Sequence, residues 1–226
     1  MNKDTLIQTV PLFSDLSEKS LKVITNKMVA RFYDKEQMIL IEESAGETFF
    51  LISTGTVKIT RMSDDGREVI LAILGEGDFF GEMALLDGEG RSANVVALED
   101  AEVFTLQRSD FLDILERFPK IAIHLLKELT TRIRHSDQQI ESLSLSGAEQ
   151  RIALVLIRLA EEMGQIKEGT VTIEHIPYQQ DIANMAGTSR ETVSRVYKML
   201  EDKNHIVREG KTLKIIDFPV FSRKFS

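Results

Sequence analysis

Residues 187–200 read GTSRETVSRVYKML, and the organisation of the chain follows from what that segment can be. Gly187 offers a turn, and the Ser189 hydroxyl can accept from an unpaired amide of a helix's first turn. Val193, Val196, Tyr197 and Leu200 recur at i, i+3, i+4 and i+7, the spacing of a helix face that packs inward. Glu191, Ser194, Arg195 and Lys198 repeat that spacing on the other side, with Arg190 at the first turn. A solvated amphipathic helix has the same pattern, as does a helix that presents arginine, glutamate and serine to the hydrogen-bonding edges of bases. The neighbouring segments decide between them.

On both flanks the segment has the company a DNA reader needs. Tyr178–Ala186 predicts a preceding helix, with Ala183 small where a second helix must cross closely. After Leu200, residues 206–216 predict a hairpin turning at Glu209-Gly210, a wing. Upstream, Ala148–Met163 predicts an amphipathic helix facing inward through Ile152, Val155, Leu156 and Leu159; Gly164–Gly169 reads as a polar loop and Val171–Ile173 as a short strand. The net charge of −8 divides unevenly. Residues 1–118 hold 12 Lys+Arg against 22 Asp+Glu, whereas residues 187–226 hold 9 against 5. The positive charge therefore collects around the opening segment, which favours contact with a polyanion.

The first half has a different texture. Ser17 can cap a short helix with Leu21, Ile24 and Met28 as its apolar stripe. From Val29 onward, short apolar runs are cut by turn signals at Gly46, Gly55, Gly66 and Gly75–Gly77, the punctuation of a compact all-β roll or sandwich. Asp64-Asp65-Gly66 is a strong hairpin signal. Residues 81–86, GEMALL, predict one or two helical turns within the β region, followed by β-rich residues 94–98. Such a helix start suits an anion. Glu82 could accept from a hydroxyl and Arg91 could pair with a phosphate; equally, the two could be surface residues paired with each other.

Between the halves, Asp110–Arg117 predicts a short helix, and Phe118-Pro119 ends it and starts another. No Gly or Pro interrupts the run to Leu145. Ala122, Leu126, Leu129, Ile133, Ser136, Ile140 and Leu143 alternate in steps of 4 and 3, a coiled-coil seam on a helix of roughly 26 residues and about 39 Å. A strict 3.5-residue repeat favours a partner helix and hence a homodimer over packing on the chain's own β region. Gly147 is a suitable hinge. The expected division is 1–118 effector domain, 119–146 dimerisation helix and hinge, and 147–226 DNA-binding domain.

With no cysteine, disulfides, thiolate metal sites and iron–sulfur clusters are excluded. The four histidines, at 124, 135, 175 and 205, all follow the β region, which argues against a haem ligand in that half and against a cupin-like metalloenzyme. No GxxxxGK occurs, so a P-loop hydrolase is excluded. No apolar run reaches the roughly 18 residues a membrane span needs, and the start lacks a secretory pattern. A cytoplasmic protein that is not an enzyme and contacts no membrane is expected.

Residues 80–97, FGEMALLDGEGRSANVVA, closely resemble the phosphate-binding cassette of cyclic-nucleotide-binding domains. With SRETVSRV at the other end, the chain resembles the CRP/FNR family of transcription regulators over nearly its whole length. The resemblance implies an α+β fold: a cyclic-nucleotide-binding β-roll (a double-stranded jelly roll), a long dimerisation helix and a winged helix-turn-helix. It implies that Glu82 holds a ribose hydroxyl and that Arg91 and Ser92 hold a cyclic phosphate, with Gly81, Met83, Ala84 and Ala93 in the same pocket. Ser136 and Asp137 would contact the base across a dimer; the carboxylate of Asp137 departs from the Thr-Ser of the best-known cyclic AMP receptor. Arg190 and Arg195 would read guanine and Glu191 cytosine, in keeping with their donor and acceptor chemistry. Gln179, Ser189, Thr192 and Lys211 would hold the DNA backbone. Half-sites similar to TGTGA, arranged as a palindrome in double-stranded DNA, follow from a twofold dimer. The effector implied is cyclic AMP, with no metal, haem or iron–sulfur cluster; cyclic di-GMP, cyclic GMP and a vestigial pocket in a constitutively active regulator are the alternatives. RNA polymerase is the further partner implied, with Gln165–Glu168 a candidate surface.

Overall fold

The computed structural model describes residues 7–225. As their spacing predicts, the glycines of the first half fall between strands: β1 (Val29–Tyr33), β2 (Met38–Leu40), β3 (Thr48–Thr54), β4 (Val57–Met62), β5 (Glu68–Leu74), β6 (Phe79–Phe80), β7 (Asn94–Ala97) and β8 (Ala101–Gln107). Gly55 shows why one of them must be glycine. Its φ is +87°, and a Cβ there would lie 2.6 Å from the Asp100 carbonyl oxygen, so neither the angle nor the space admits a side chain. The strands pair antiparallel in two four-stranded sheets, ordered β1-β8-β3-β6 and β2-β7-β4-β5.

Strand β3 shows what the period of two accomplishes when both faces are covered. Phe49 and Leu51 enter one apolar cluster, Phe50 and Ile52 another. The second cluster draws on both sheets, through Val57, Phe80, Val95 and Val103. The first joins the sheet to helices: α1 (Glu18–Thr25), α2 (Glu82–Asp87), α3 (Arg108–Arg117) and the start of α4 (Pro119–Leu145). Ser17 caps α1 as expected, accepting from the Ser20 amide. Phe49 and Phe111 are fully enclosed, each contributing about 1.5–3 kcal/mol by burial, and their rings stack at 4.7 Å.

The chain forms two compact units, Met1–Arg134 and His135–Ser226, and α4 runs from one into the other. Within the first unit, Ile121 and Leu125 are buried and Leu129 packs partly against the same core. Leu126 and Ile133, at 63% and 62% exposure, face solvent, as does Ile140 further along at 63%. The helix carries two apolar stripes, and Leu129 shares in the one that packs on its own β-roll.

The second unit contains α5 (Ala148–Met163), β9 (Gln165–Lys167), β10 (Thr170–Ile173), α6 (Gln179–Ala186), α7 (Arg190–Asp202), β11 (Ile206–Glu209), β12 (Thr212–Ile215) and α8 (Phe218–Phe225). Its sheet has the order β11-β12-β10-β9. The expected polar loop 164–169 is instead half of a hairpin: β9 pairs with β10, and Glu168 and Gly169 turn it with φ of +52° and +83°, the sign a tight hairpin needs at both positions. Tyr178 is the cap of α6 rather than its first residue. The wing hairpin turns at Gly210-Lys211, one residue later than its sequence suggests. The α8 helix has no counterpart in the sequence reading; it buries Phe221 and Phe225.

Candidate functional site

In the first unit the candidate residues gather around the start of α2. Gly81 caps that helix with a left-handed backbone (φ +81°). Glu82 is 2% exposed and Arg91 5% exposed, which overturns the alternative that they are surface residues. Arg91 donates from Nη1 to the Gly81 carbonyl (2.7 Å) and from Nη2 to the Thr48 carbonyl (2.8 Å). Its Nε is buried with no partner, and burial pulls its pKa below the usual arginine value, against the pull of Glu82 and Glu47. Gly46 leaves room for the guanidinium: a Cβ there would lie 3.2 Å from Arg91 Cζ and 2.3 Å from the Cβ of Ala84. Ser92 is exposed and its hydroxyl donates to the sulfur of Met83 (3.7 Å), while Ala93 is buried.

Glu82 takes a partner that sequence reasoning missed. Arg132 of α4 donates from Nη1 to Glu82 Oε1 (3.1 Å) and from Nη2 to the Phe79 carbonyl (2.8 Å). Its guanidinium also lies 4.6 Å from the centre of the Phe79 ring, a distance for cation–π attraction. Burial raises the Glu82 pKa, and Arg132 is the largest influence opposing it. The two residues stand 50 positions apart, and only the fold brings them together. Ser136 and Asp137, expected as base contacts, lie exposed on α4 and belong to the second unit.

These residues fit an anionic ligand with hydroxyls. Arg91 holds a buried donor without an acceptor, the kind of group a phosphate oxygen satisfies. Glu82 is an acceptor for a hydroxyl, and Gly46 and Gly81 leave the space that the Arg91 guanidinium fills. Arg132 does the remaining work of keeping Glu82 oriented.

The second unit builds the reading head. Val193, Val196, Tyr197 and Leu200 are all buried, the inward face their spacing predicts. Ser189 accepts from the Thr192 amide, so its hydroxyl helps to start α7. Gly187 ends α6 at φ +59°, and a Cβ there would meet Leu143 at 2.9 Å. Ala183, at 0% exposure, admits the crossing of α6 and α7. Arg190, Glu191 and Arg195 project into solvent with Ser194 and Lys198. The Glu191 pKa lies below the usual carboxylate value, through its own amide, then Ser189 and Arg190, so it stays an acceptor. Gln179 is half-buried at the start of α6, and Lys211 is exposed at the tip of the wing.

The wing is fastened by a second pairing without a sequence signal. Arg208 donates from Nε and Nη2 to the two carboxylate oxygens of Glu201, both at 2.8 Å, and lies 4.8 Å from the Tyr197 ring. This two-point grip ties β11 to the end of α7 and removes Arg208 and Glu201 from base reading. Among the described residues, no group of three or more His, Asp or Glu could hold a metal, and no helix is long and apolar enough to cross a membrane.

Comparison with known proteins agrees with both halves. Residues 30–118 match the cyclic nucleotide-binding domain model, and residues 150–223 the Crp-like helix-turn-helix domain model. The chain is 36% identical over 200 residues to the cyclic AMP receptor protein of Thermus thermophilus, covering 88% of this chain and 89% of that one. It is 33% identical over 188 residues to the cAMP-activated global transcriptional regulator CRP of Pasteurella multocida, covering 83% and 89%. The structure of FixK2 from Bradyrhizobium japonicum superposes with a TM-score of 0.78 at 22% identity, over 88% of this chain and 98% of that one, a likeness of fold. Two domain models in the expected order and a relative at this identity place the protein, a transcription regulator rather than an enzyme, in the CRP/FNR family.

Proposed function

We propose that the protein is a cytoplasmic homodimer whose affinity for palindromic DNA with TGTGA-like half-sites is set by cyclic AMP. One observation carries the reading: the same chain holds a buried Arg91 with a spare donor beside Glu82, and a capped helix with Arg190, Glu191 and Arg195 outward. The division into an effector domain (1–118), a dimerisation helix and hinge (119–146) and a DNA-binding domain (147–226) belongs to this reading. Leu126, Ile133, Ile140 and Leu143 form the stripe on α4 that a partner helix covers. Their exposure in the single chain, 49–63%, supports it, because apolar residues in heptad register bury themselves against a second copy.

In this reading Arg91 and Ser92 bind the cyclic phosphate, Glu82 the ribose hydroxyl, and Gly81, Met83, Ala84 and Ala93 line the pocket. Ser136 and Asp137 meet the base. Two relatives, a cyclic AMP receptor protein and a cAMP-activated regulator, support cyclic AMP as the nucleotide. Arg190 and Arg195 read guanine, and Glu191 accepts from cytosine. Gln179, Ser189, Thr192 and Lys211 position the helix on phosphates. The dimer sets two α7 helices about 34 Å apart, one turn of B-form DNA. RNA polymerase is the protein partner, met at the β9–β10 hairpin.

The test is fluorescence anisotropy on a duplex with inverted TGTGA repeats, at fixed salt, with cyclic AMP, cyclic GMP or cyclic di-GMP. Cyclic AMP tightens binding about tenfold or more, a coupling in the usual range for such linkage, and Arg91→Leu removes the response while leaving basal DNA affinity. Equal affinity with and without every nucleotide would refute effector control. A stronger response to cyclic di-GMP or cyclic GMP would reassign the ligand.

A further inference from the structure

A cavity of about 560 Å³ opens in the second unit between the last third of α4 and helices α5 and α6. That volume lies within the range of small-molecule sites, about 300–1,000 Å³. Leu143, Leu154, Ile157 and Met185 supply an apolar wall. Among the polar residues that line the rest, with His135, Gln138, Gln139 and Gln150, are two arginines of α5 whose circumstances differ. Arg151 is fully engaged, donating from Nε to the Ala186 carbonyl (2.8 Å), from Nη1 to that of Ser146 (2.8 Å) and from Nη2 to that of Gly187 (3.2 Å). The Nε and Nη2 atoms of Arg158 are buried and have no hydrogen-bond partner. The Glu162 carboxylate stands 4.0 Å from that Nε, too far for a hydrogen bond.

Nε and Nη2 lie on one edge of the planar guanidinium and donate in parallel, the fork that fits the two oxygens of a carboxylate. Burial draws the Arg158 pKa down, and the Glu162 carboxylate, one helical turn on, opposes that pull. No hydrogen bond holds either donor in place, so the group can turn toward the cavity about its side-chain torsions. The remaining charges argue for a single negative charge in the ligand. Arg151 is spent on backbone carbonyls, and Glu141 and Glu161 at the cavity repel a second anion. Apart from Leu143, which borders the proposed dimer stripe, much of the α4 lining points away from that stripe. Gln138, Ser142 and Leu145 lie on the face of α4 opposite Ile133 and Ile140, by the 100° advance per residue of a helix.

We propose that this cavity binds a small organic monocarboxylate with an apolar body, its carboxylate on the Nε–Nη2 edge of Arg158. Its occupant touches Met185 and Ala186, the residues that lead into the Gly187 turn before α7. It is thus a second ligand site, separate from the cassette.

The full-length, nitrogen-15-labelled protein, without DNA or nucleotide, is titrated with phenylacetate and hexanoate. Phenylacetamide and hexanamide serve as uncharged matches, and inorganic phosphate as an anion without an apolar body. At least one acid binds with Kd of about 1 mM or tighter, as expected for a ligand of roughly ten heavy atoms in an apolar pocket, and shifts the amide signals of residues 142–146 and 185–187. Its amide binds at least tenfold more weakly. Arg158→Gln weakens the acid about tenfold and Arg158→Lys less. No shift at those signals with either acid, amides binding as well as acids, or Arg158→Gln binding like the unaltered chain would each overturn the proposal; so would phosphate binding in place of the acids. Should Arg158→Gln fail to fold, the comparison of acid with amide on the unaltered chain decides. Because neither DNA nor cyclic nucleotide is present, failure here leaves the proposed regulation by cyclic AMP standing, and the converse holds.

Discussion

Replacing Arg132 by alanine tests whether Glu82 is held as a buried anion by a single cation. Glu82's side chain is 3% exposed and Arg132's 29%. Removing one partner of a fully buried pair costs about 3–5 kcal/mol, because the other charge is left uncompensated. Arg132 is partly solvated, so water can replace some of what it supplies, and the expected loss falls to about 2–3 kcal/mol. That figure includes the hydrogen bond to the Phe79 carbonyl and the contact with its ring. The dependence on pH separates the ion pair from these. Burial already raises the native Glu82 pKa above its ordinary 4.5, so the native state binds its proton more readily than the unfolded chain, and stability falls as pH rises through that window. Without Arg132 the native value rises further. The deficit of Arg132→Ala should therefore be largest at alkaline pH and shrink as the pH falls toward 4.5. Urea unfolding followed by far-ultraviolet circular dichroism is the assay, since the chain has no tryptophan to report by fluorescence. In the background of Glu82→Gln, the same arginine change should cost less by about 1 kcal/mol or more. A deficit that does not vary with pH, or that simply adds to that of Glu82→Gln, would refute the pairing as the source of the loss.

Two further outcomes follow from the second unit and the long helix. Ser189→Ala removes the hydroxyl that accepts from Thr192; it should cost about 1 kcal/mol of stability and, by loosening the first turn of α7, weaken binding of the TGTGA duplex about fivefold, whereas unchanged affinity would mean that DNA organises that turn unaided. Placing glutamate at both Ile133 and Ile140, exposed at 62% and 63%, should turn a dimer into a monomer in sedimentation while leaving the circular dichroism spectrum intact, and a dimer that survives both charges would place the interface elsewhere.

Periodicity told most where one element answers to one environment. The inward face of α7 was legible because Val193, Val196, Tyr197 and Leu200 answer only to the core of their own unit, and the turns of the β-roll were legible because glycine marks backbone geometry directly. The 4-and-3 steps on α4 told less at Leu129 for the converse reason. One helix there serves two surfaces, its β-roll through Ile121 and Leu125 and an outward stripe through Leu126 and Ile133, and a single repeat cannot divide residues between them. The eight-residue α8 was readable in principle, since Phe218, Phe221 and Phe225 have helical spacing, but so short a run carries little signal against the Pro219 within it. The β9–β10 hairpin was hidden because Glu168 takes a positive φ, which its residue type does not announce.

The charged pairs were hidden for a deeper reason. A sequence shows that Glu82, Arg132, Glu201 and Arg208 are ionisable, but burial decides whether ionisation is costly, and burial belongs to the fold. Residue types alone left Glu82 open between a hydroxyl acceptor and a surface partner of Arg91, because nothing near it in sequence says that α4 will return across it. Once α4 does so, a carboxylate at 3% exposure needs a cation, and Arg132 is on the turn that supplies one. The same geometry gives the site its leverage. The glutamate proposed to receive the ribose hydroxyl is gripped by the helix proposed to join two subunits, so any ligand hydroxyl that donates to Glu82 competes with, or completes, the contact that Arg132 makes there. A ligand acts on an equilibrium only through contacts that differ between its states. The Glu82–Arg132 pair is one contact in this chain where occupation of the cassette and the placement of the long helix share the same atoms.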